Sequence, residues 1–239
     1  MREFMSLAQI SIAGPITEEL ARGVCTRLDS AREYYHYPEV VLRISSPGGE
    51  LLGMELILRG IDRCHLAGVA VRTVCEGPVA SAGAVIASAG SPGLREAESH
   101  ARLLYHEPRY LTPEGAHHTA GRLTSIASSL SDTTERMLEA LLHCASSRRG
   151  ARGPVIRTAN LTSRLRDLLR NGSSGEETLS LREAYLRLLR MDAWITPEEA
   201  CAFHLLDRCV PPLRSRLVRE FDSASSDVES PTPTKEVLK

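Results

Sequence analysis

Val69-Ala70-Val71-Arg72-Thr73-Val74 runs toward Gly77-Pro78-Val79-Ala80-Ser81-Ala82-Gly83. The first piece is apolar and rich in β-branched residues, which favours a strand. The second is a turn, and the small-residue run from Ala82 to Ala89 beyond it reads as a closely packed helix. A serine at a strand-to-helix junction, with small neighbours, is held exposed with backbone N–H groups beside it. Nucleophilic acyl transfer needs that geometry. Tight packing alone also produces such junctions, so Ser81 acquires meaning only through partners.

Working outward, the first half alternates strand-like and helix-like pieces. Leu7 to Ile12 reads as a strand ending at Gly14-Pro15, and Thr17 is placed to cap a helix running to about Ala31. Val40 to Ile44 is a second strand, closed by Ser46-Pro47-Gly48-Gly49, and Leu51 to Ala67 has helical periodicity with Leu52, Leu56 and Ile57 on one face. Ala101 to Tyr105 is a further buried strand ending at His106. Such alternation predicts an α/β fold with a parallel-rich sheet and helices outside. Functional residues in these sheets gather at the carboxyl ends of strands, where both Ser81 and His106 fall.

The second half reads as helical. Thr119 to Ala145 is one long helical stretch, broken by the Arg-, Ser- and Gly-rich segment from Ser146 to Pro154. A short basic helix capped by Asn160 or Thr162 is expected up to Arg170, followed by a flexible loop at Asn171 to Gly175. Leu179 to Met191 is again helical, Pro197 starts another helix, and Leu206 to Val210 reads as a closing strand. Residues 1–210 are expected to form one domain, with a solvated insertion at about 146–178. The Ser-, Thr- and Pro-rich residues 211–239 are expected to be disordered.

Composition excludes several classes. The 239 residues are 42% hydrophobic and 25% charged, ordinary values for a soluble domain. A net charge of -1 gives no electrostatic case for nucleic acid or a membrane surface. The six cysteines include no C-x-x-C pair, so neither a disulfide framework nor a zinc site is expected, and reduced thiols suit a cytoplasmic protein. His117-His118 has no third ligand in view, because adjacent histidines on a helix diverge. No metal and no cofactor are expected.

Three further features join Ser81. His106, in Leu104-Tyr105-His106-Glu107-Pro108, follows an apolar strand and is fixed by a proline. An imidazole titrates near neutrality and suits a general base, although a structural histidine also fits a strand end. Asp192, between Met191 and Ala193-Trp194, is an aspartate at a helix end with apolar neighbours. It can orient an imidazole or be merely a solvated carboxylate. Gly48 and Gly49 let a loop come close to a substrate and present an N–H to a developing oxyanion, and they also suit a plain tight turn.

Together these motifs resemble the Clp protease proteolytic subunit family, the caseinolytic serine proteases. The resemblance rests on Ser46-Pro47-Gly48-Gly49, Gly77 to Gly83, Tyr105 to Pro108, and Met191-Asp192-Ala193-Trp194-Ile195-Thr196-Pro197-Glu198-Glu199-Ala200. It is extended by the closing Phe203 to Val210, and it covers roughly residues 7–145 and 179–210. It implies a crotonase-like spiral of βαβ units with a protruding helical handle, here about 119–145. It also implies Ser81 as nucleophile, His106 as general base and acid, Asp192 as orienting carboxylate, and N–H groups around Gly48, Gly49 and Ala82 as oxyanion donors. Family membership further implies unfolded protein or peptide as substrate, a homo-oligomer of one or two stacked heptameric rings, and often an AAA+ ATPase partner.

Three departures accompany the resemblance. The first strand begins almost at the N-terminus, which argues against ATPase docking. The family's glycine-rich strand after the histidine is replaced by Arg109 to Gly115, and extra residues precede Asp192. The run from Ala80 to Gly90 also resembles the Clp-type proteases of phage head maturation, which work without an ATPase. Two other readings stand beside the peptidase. One is a structural subunit that keeps the fold without activity. The other is a crotonase-fold enzyme acting on acyl-CoA, which has no need of the Ser-His-Asp set.

Overall fold

The computed structural model describes residues 8–34, 37–110, 112, 117–146, 155–169 and 178–212. The loop expected at Asn171 to Gly175 and nearly all of the expected tail lie outside these residues.

The first half builds the sheet. Strands β1 (Ala8–Ala13), β2 (Glu39–Ser45), β3 (Ala70–Cys75), β5 (Arg95–Glu98) and β10 (Arg208–Val210) lie in that order in one five-stranded sheet. Every pairing in it is parallel, as the alternating sequence predicts. Helices α1 (Glu18–Glu33) and α2 (Leu51–Leu66) are the first two crossovers. Thr17 caps α1 as expected, its hydroxyl accepting from the Leu20 N–H at 3.2 Å.

Of the expected face of α2, Ile57 is buried and Leu56 packs against the core, and only Leu52 departs. Met54, Ile57, Ile61 and Cys64 are buried, at helical spacing, while Leu52 is half exposed. Each fully buried aliphatic side chain of such a row contributes about 1.5–3 kcal/mol. The face with the longer buried row therefore turns inward, and Leu52 is left outside it.

A second, three-stranded sheet carries the candidate chemistry. Strand β6 (Arg102–Leu104) is its centre, with β4 (Pro78–Ala80) parallel on one side and β9 (Trp194–Ile195) antiparallel on the other. The short helix α3 (Ala82–Ser88) leaves β4 at Ser81 and is buried along its whole length. Only alanine, glycine and serine side chains, with Val85 and Ile86, allow that close an approach.

The long helix expected at 119–145 is α4 (Ala120–Ser146). Its first four turns are open to solvent at nearly every position, and Met137, Leu138, Leu141 and Ala145 bury its second half. A helix half out of the core matches the protruding element that was expected.

The described part of the insertion is not the solvated segment expected. Strand β7 (Val155–Arg157) pairs antiparallel with β8 (Thr178–Ser180). A 3-10 turn at Thr158–Asn160 and helix α5 (Ser163–Leu169) follow β7. Ile156, Leu161, Leu165 and Leu169 are all buried in the common core. The arginines hid an apolar row spaced by four, which is enough to fold a short helix onto the core. Helix α6 (Leu181–Met191), capped by Ser180, and α7 (Pro197–Ala202), closed by a capping box between Thr196 and Glu199, complete the chain. Among the described residues, no helix is long and apolar enough to cross a membrane.

Candidate active site

Strand register brings the site together. Ala80 pairs with Leu104 across β4 and β6, and Leu104 pairs with Trp194 across β6 and β9. Ser81 follows Ala80, His106 lies two residues past Leu104, and Asp192 lies two residues before Trp194. Because β9 is antiparallel to β6, that register draws His106 and Asp192 to the same end of the sheet.

Ser81 sits at φ 55° and ψ −127°. A non-glycine residue with positive φ outside the left-handed helical region is strained, and such strain clusters at functional sites. The surroundings hold it there. The Ser81 N–H donates to the Leu104 carbonyl at 2.8 Å, and the Ser81 carbonyl accepts from Ala84 N–H at 3.0 Å. Gly48 lies against it, with φ +93°. A Cβ built there would stand 2.6 Å from Ser81 Cβ and 2.8 Å from the Ala80 carbonyl oxygen, so only glycine fits.

The two glycines have different roles. The Gly48 N–H donates to Ser46 Oγ at 3.1 Å, and its carbonyl accepts from Ile16 N–H at 2.8 Å. Gly48 thus packs against Ser81, and its N–H is engaged by Ser46 Oγ in this arrangement. Gly49 lines the cleft with Ala82 and Ser81.

That cleft has a volume of about 380 Å³. Ser81, Ala82 and Gly49 line it together with His106, Pro108 and Arg109. Leu51 and Met54 of α2, with Leu130, Thr133 and Met137 of α4, complete it. The α4 residues were not anticipated as part of the site. Leu130 and Met137 recur at an interval of seven on that helix, the spacing that keeps side chains on one face. A larger cavity of about 500 Å³ between α2 and α4 includes His65 but neither Ser81 nor His106.

His106 and Asp192 are close in the fold but do not touch through the expected bond. The His106 Nδ1 is 2.6 Å from the Glu107 carbonyl oxygen. Asp192 pairs with Arg109 instead. The neighbouring backbone ties the two segments together, with Glu107 N–H donating to the Leu189 carbonyl at 3.0 Å. Among the described residues, no hydrogen bond joins Ser81 Oγ to His106. A carbonyl acceptor at Nδ1 selects the tautomer that leaves Nε2 with a free lone pair. In this arrangement, then, a backbone carbonyl meets the imidazole where a carboxylate was expected.

The other polar candidates resolve into structural roles. Asp207, the poorer aspartate by sequence, forms a two-armed ion pair with the fully buried Arg95. His65 Nε2 meets Ser91 Oγ at 3.0 Å and His100 Nε2 meets the Glu76 carbonyl at 3.0 Å. Among the described residues, no group of three or more metal-ligating side chains forms, and His118 instead sets its ring edge-on to Tyr110.

The family model described as Clp protease matches residues 1–149. The chain belongs to the Clp protease family. Its parallel sheet and flanking helices are consistent with the crotonase-like fold. Over 70 residues it is 43% identical to the ATP-dependent Clp protease proteolytic subunit 1 of Tropheryma whipplei strain Twist. That match covers 29% of this chain and 32% of the relative. Over 99 residues it is 34% identical to the ATP-dependent Clp protease proteolytic subunit 2 of Chlamydia pneumoniae, covering 41% of this chain and 47% of that one. The chain thus spans between about a third and a half of the curated relatives it matches.

Proposed function

We propose that this Clp-family chain is a serine endopeptidase that hydrolyses peptide bonds through an acyl-enzyme on Ser81. The observation that carries the reading is the strained Ser81 at a helix start, opening into one cleft with His106. His106 Nε2 takes the Ser81 hydroxyl proton as Oγ attacks the substrate carbonyl carbon. The same nitrogen returns the proton to the leaving amine, and water then repeats the sequence to release the acid. The N–H groups of Gly49 and Ala82 receive the developing oxyanion. The Glu107 carbonyl orients His106 in the arrangement described, and Asp192 takes that part only once Arg109 releases it.

Family membership supports the wider reading. In this reading the substrate is unfolded protein or peptide and the assembly a homo-oligomeric chamber, as one heptameric ring or two stacked rings. An AAA+ ATPase is its candidate partner, and the cytoplasm its expected compartment. The names of the two relatives describe ATP-dependent proteolytic subunits.

A second reading has its own support. The absence of a Ser81–His106 bond among the described residues, with Asp192 held by Arg109, suits a non-catalytic subunit that keeps the fold. A fluorophosphonate probe separates the two. Labelling of the wild type that disappears in Ser81→Ala supports the peptidase. An assembled, unlabelled wild type supports the structural subunit.

A further inference from the structure

The cleft beside Ser81 is electrostatically one-sided. The part of its lining supplied by α2 and α4 is mostly apolar: Leu51, Met54, Leu130 and Met137, with Thr133. Among the described residues, Arg109 is the one permanently charged side chain in its lining, and no carboxylate lines it. The guanidinium is bound to Asp192 through Nη2, and among the described residues no other hydrogen bond engages it. Five N–H donors therefore have a single acceptor. Both partners of that pair are about half exposed, with side-chain exposures of 59% and 49%. Exposed pairs of this kind are worth about 0–1 kcal/mol, so Arg109 is held only weakly and keeps donors for a ligand.

We propose that Arg109 is a specificity determinant, and that the cleft takes peptides presenting a carboxylate next to a large apolar residue. The inference rests on the peptidase reading for its biological sense. The apolar side chain packs against the lining from α2 and α4, and the carboxylate meets the planar fork of Arg109 in a two-bond contact. The carboxylate has two possible sources, an Asp or Glu side chain or the free C-terminus of a short peptide.

The test measures binding to the full chain carrying Ser81→Ala, so that nothing is cut. Three fluorescent peptides share one large apolar residue. The first has Gln beside it and an amidated end, the second has Glu and an amidated end, and the third has Gln and a free acid end. The expected result is about five- to tenfold tighter binding of at least one carboxylate-bearing peptide, equivalent to roughly 1–1.4 kcal/mol. A preference for the second peptide assigns the side chain, and one for the third assigns the C-terminus.

The preference should shrink in high salt, vanish in Arg109→Gln and survive in part in Arg109→Lys. It should turn toward a Lys-bearing peptide in Arg109→Glu. Equal affinities for all three peptides, a preference unchanged in Arg109→Gln, or no binding at all overturn the proposal. Cleavage of the first peptide by the wild type is read separately. Its failure, with no fluorophosphonate labelling, overturns the peptidase reading while the binding preference still decides the role of Arg109.

Discussion

The backbone N–H of Ser81 donates to the carbonyl oxygen of Leu104 at 2.8 Å. One backbone hydrogen bond thus ties the candidate nucleophile to the end of the strand that leads to the candidate base. A second tie lies behind it, where the Tyr105 hydroxyl meets Ser88 Oγ at 2.9 Å between that strand and α3. Ser81 and His106 are therefore anchored by the core. The groups beyond them, Glu107, Arg109 and Asp192, lie on more exposed backbone and have more freedom to rearrange.

Gly48→Ala tests how far the strained Ser81 depends on its neighbour. The new methyl would meet Ser81 Cβ and the Ala80 carbonyl below 3 Å, and the φ of +93° disfavours any side chain. A cost of about 1–3 kcal/mol is expected from the backbone strain. Fluorophosphonate labelling of Ser81 should fall at least tenfold, while Gly23→Ala in α1, whose new Cβ meets nothing within 4 Å on helical backbone, should leave labelling intact. Equal labelling of wild type and Gly48→Ala would show that the glycine does not set the serine's geometry.

Asp207→Ala tests the joint between the closing strand and the sheet. Asp207 Oδ2 accepts from Gly93 N–H at 2.8 Å and Arg95 Nε at 2.9 Å, and Oδ1 accepts from Arg95 Nη2 at 2.8 Å. Arg95 Nη1 reaches the Cys144 carbonyl of α4 at 3.1 Å. Removing the carboxylate leaves a fully buried guanidinium without its counter-charge, which costs about 3–5 kcal/mol. Chemical denaturation should show that loss, and pairing Asp207→Ala with Arg95→Met should recover much of it. A single-variant loss below about 1 kcal/mol would mean that water reaches Arg95.

Arg95 also shows where the sequence could not be read. Arg95-Glu96-Ala97-Glu98 has the composition of a solvent loop, yet all four residues are buried in β5. Arg72 and Arg208 engage Glu96 from either side, and Asp207 engages Arg95. Partners so distant in sequence leave no local signal. Ile156, Leu161 and Leu165 in the insertion were hidden for a related reason, since the arginines between them dominate the composition. Ser81 and His106 were legible because each follows directly from the end of a strand, where chain geometry alone fixes placement. The ion pair of Asp192 was not, because a short loop can offer its carboxylate to either Arg109 or His106 without changing the sequence pattern.

The cysteines give a prediction in pH. Complete burial pushes the Cys75 thiol up to about 12, and burial pushes Cys144 up to about 11. At pH 8 their thiolate fractions are on the order of one in ten thousand and one in a thousand. Iodoacetamide should leave both unmodified in the native chain and modify them after unfolding. The linkage has a definite sign. A thiol whose pKa is higher folded than unfolded stabilises fully below the unfolded value of 9.0, and that contribution is lost as pH rises toward about 12. Unfolding free energy should decline across that window, and Cys75→Ala should make the decline shallower. Native labelling of Cys75 at pH 8 would contradict its burial.

The role of Asp192 is decided by comparing it with His106. Asn at 192 keeps the left-handed conformation seen there, φ 48° and ψ 42°, because asparagine tolerates it as aspartate does. Asp192→Asn therefore removes the charge with little change in backbone. His106→Ala should abolish peptide cleavage, since among the described residues no other imidazole lines the cleft. With the Glu107 carbonyl already at Nδ1, Asp192→Asn should lower kcat by less than about tenfold. A carboxylate that orients the imidazole would behave differently, because its loss admits the wrong tautomer and costs about ten thousandfold. A fall of that size, with KM unchanged, would assign the orienting part to Asp192 and make its contact with Arg109 a resting arrangement.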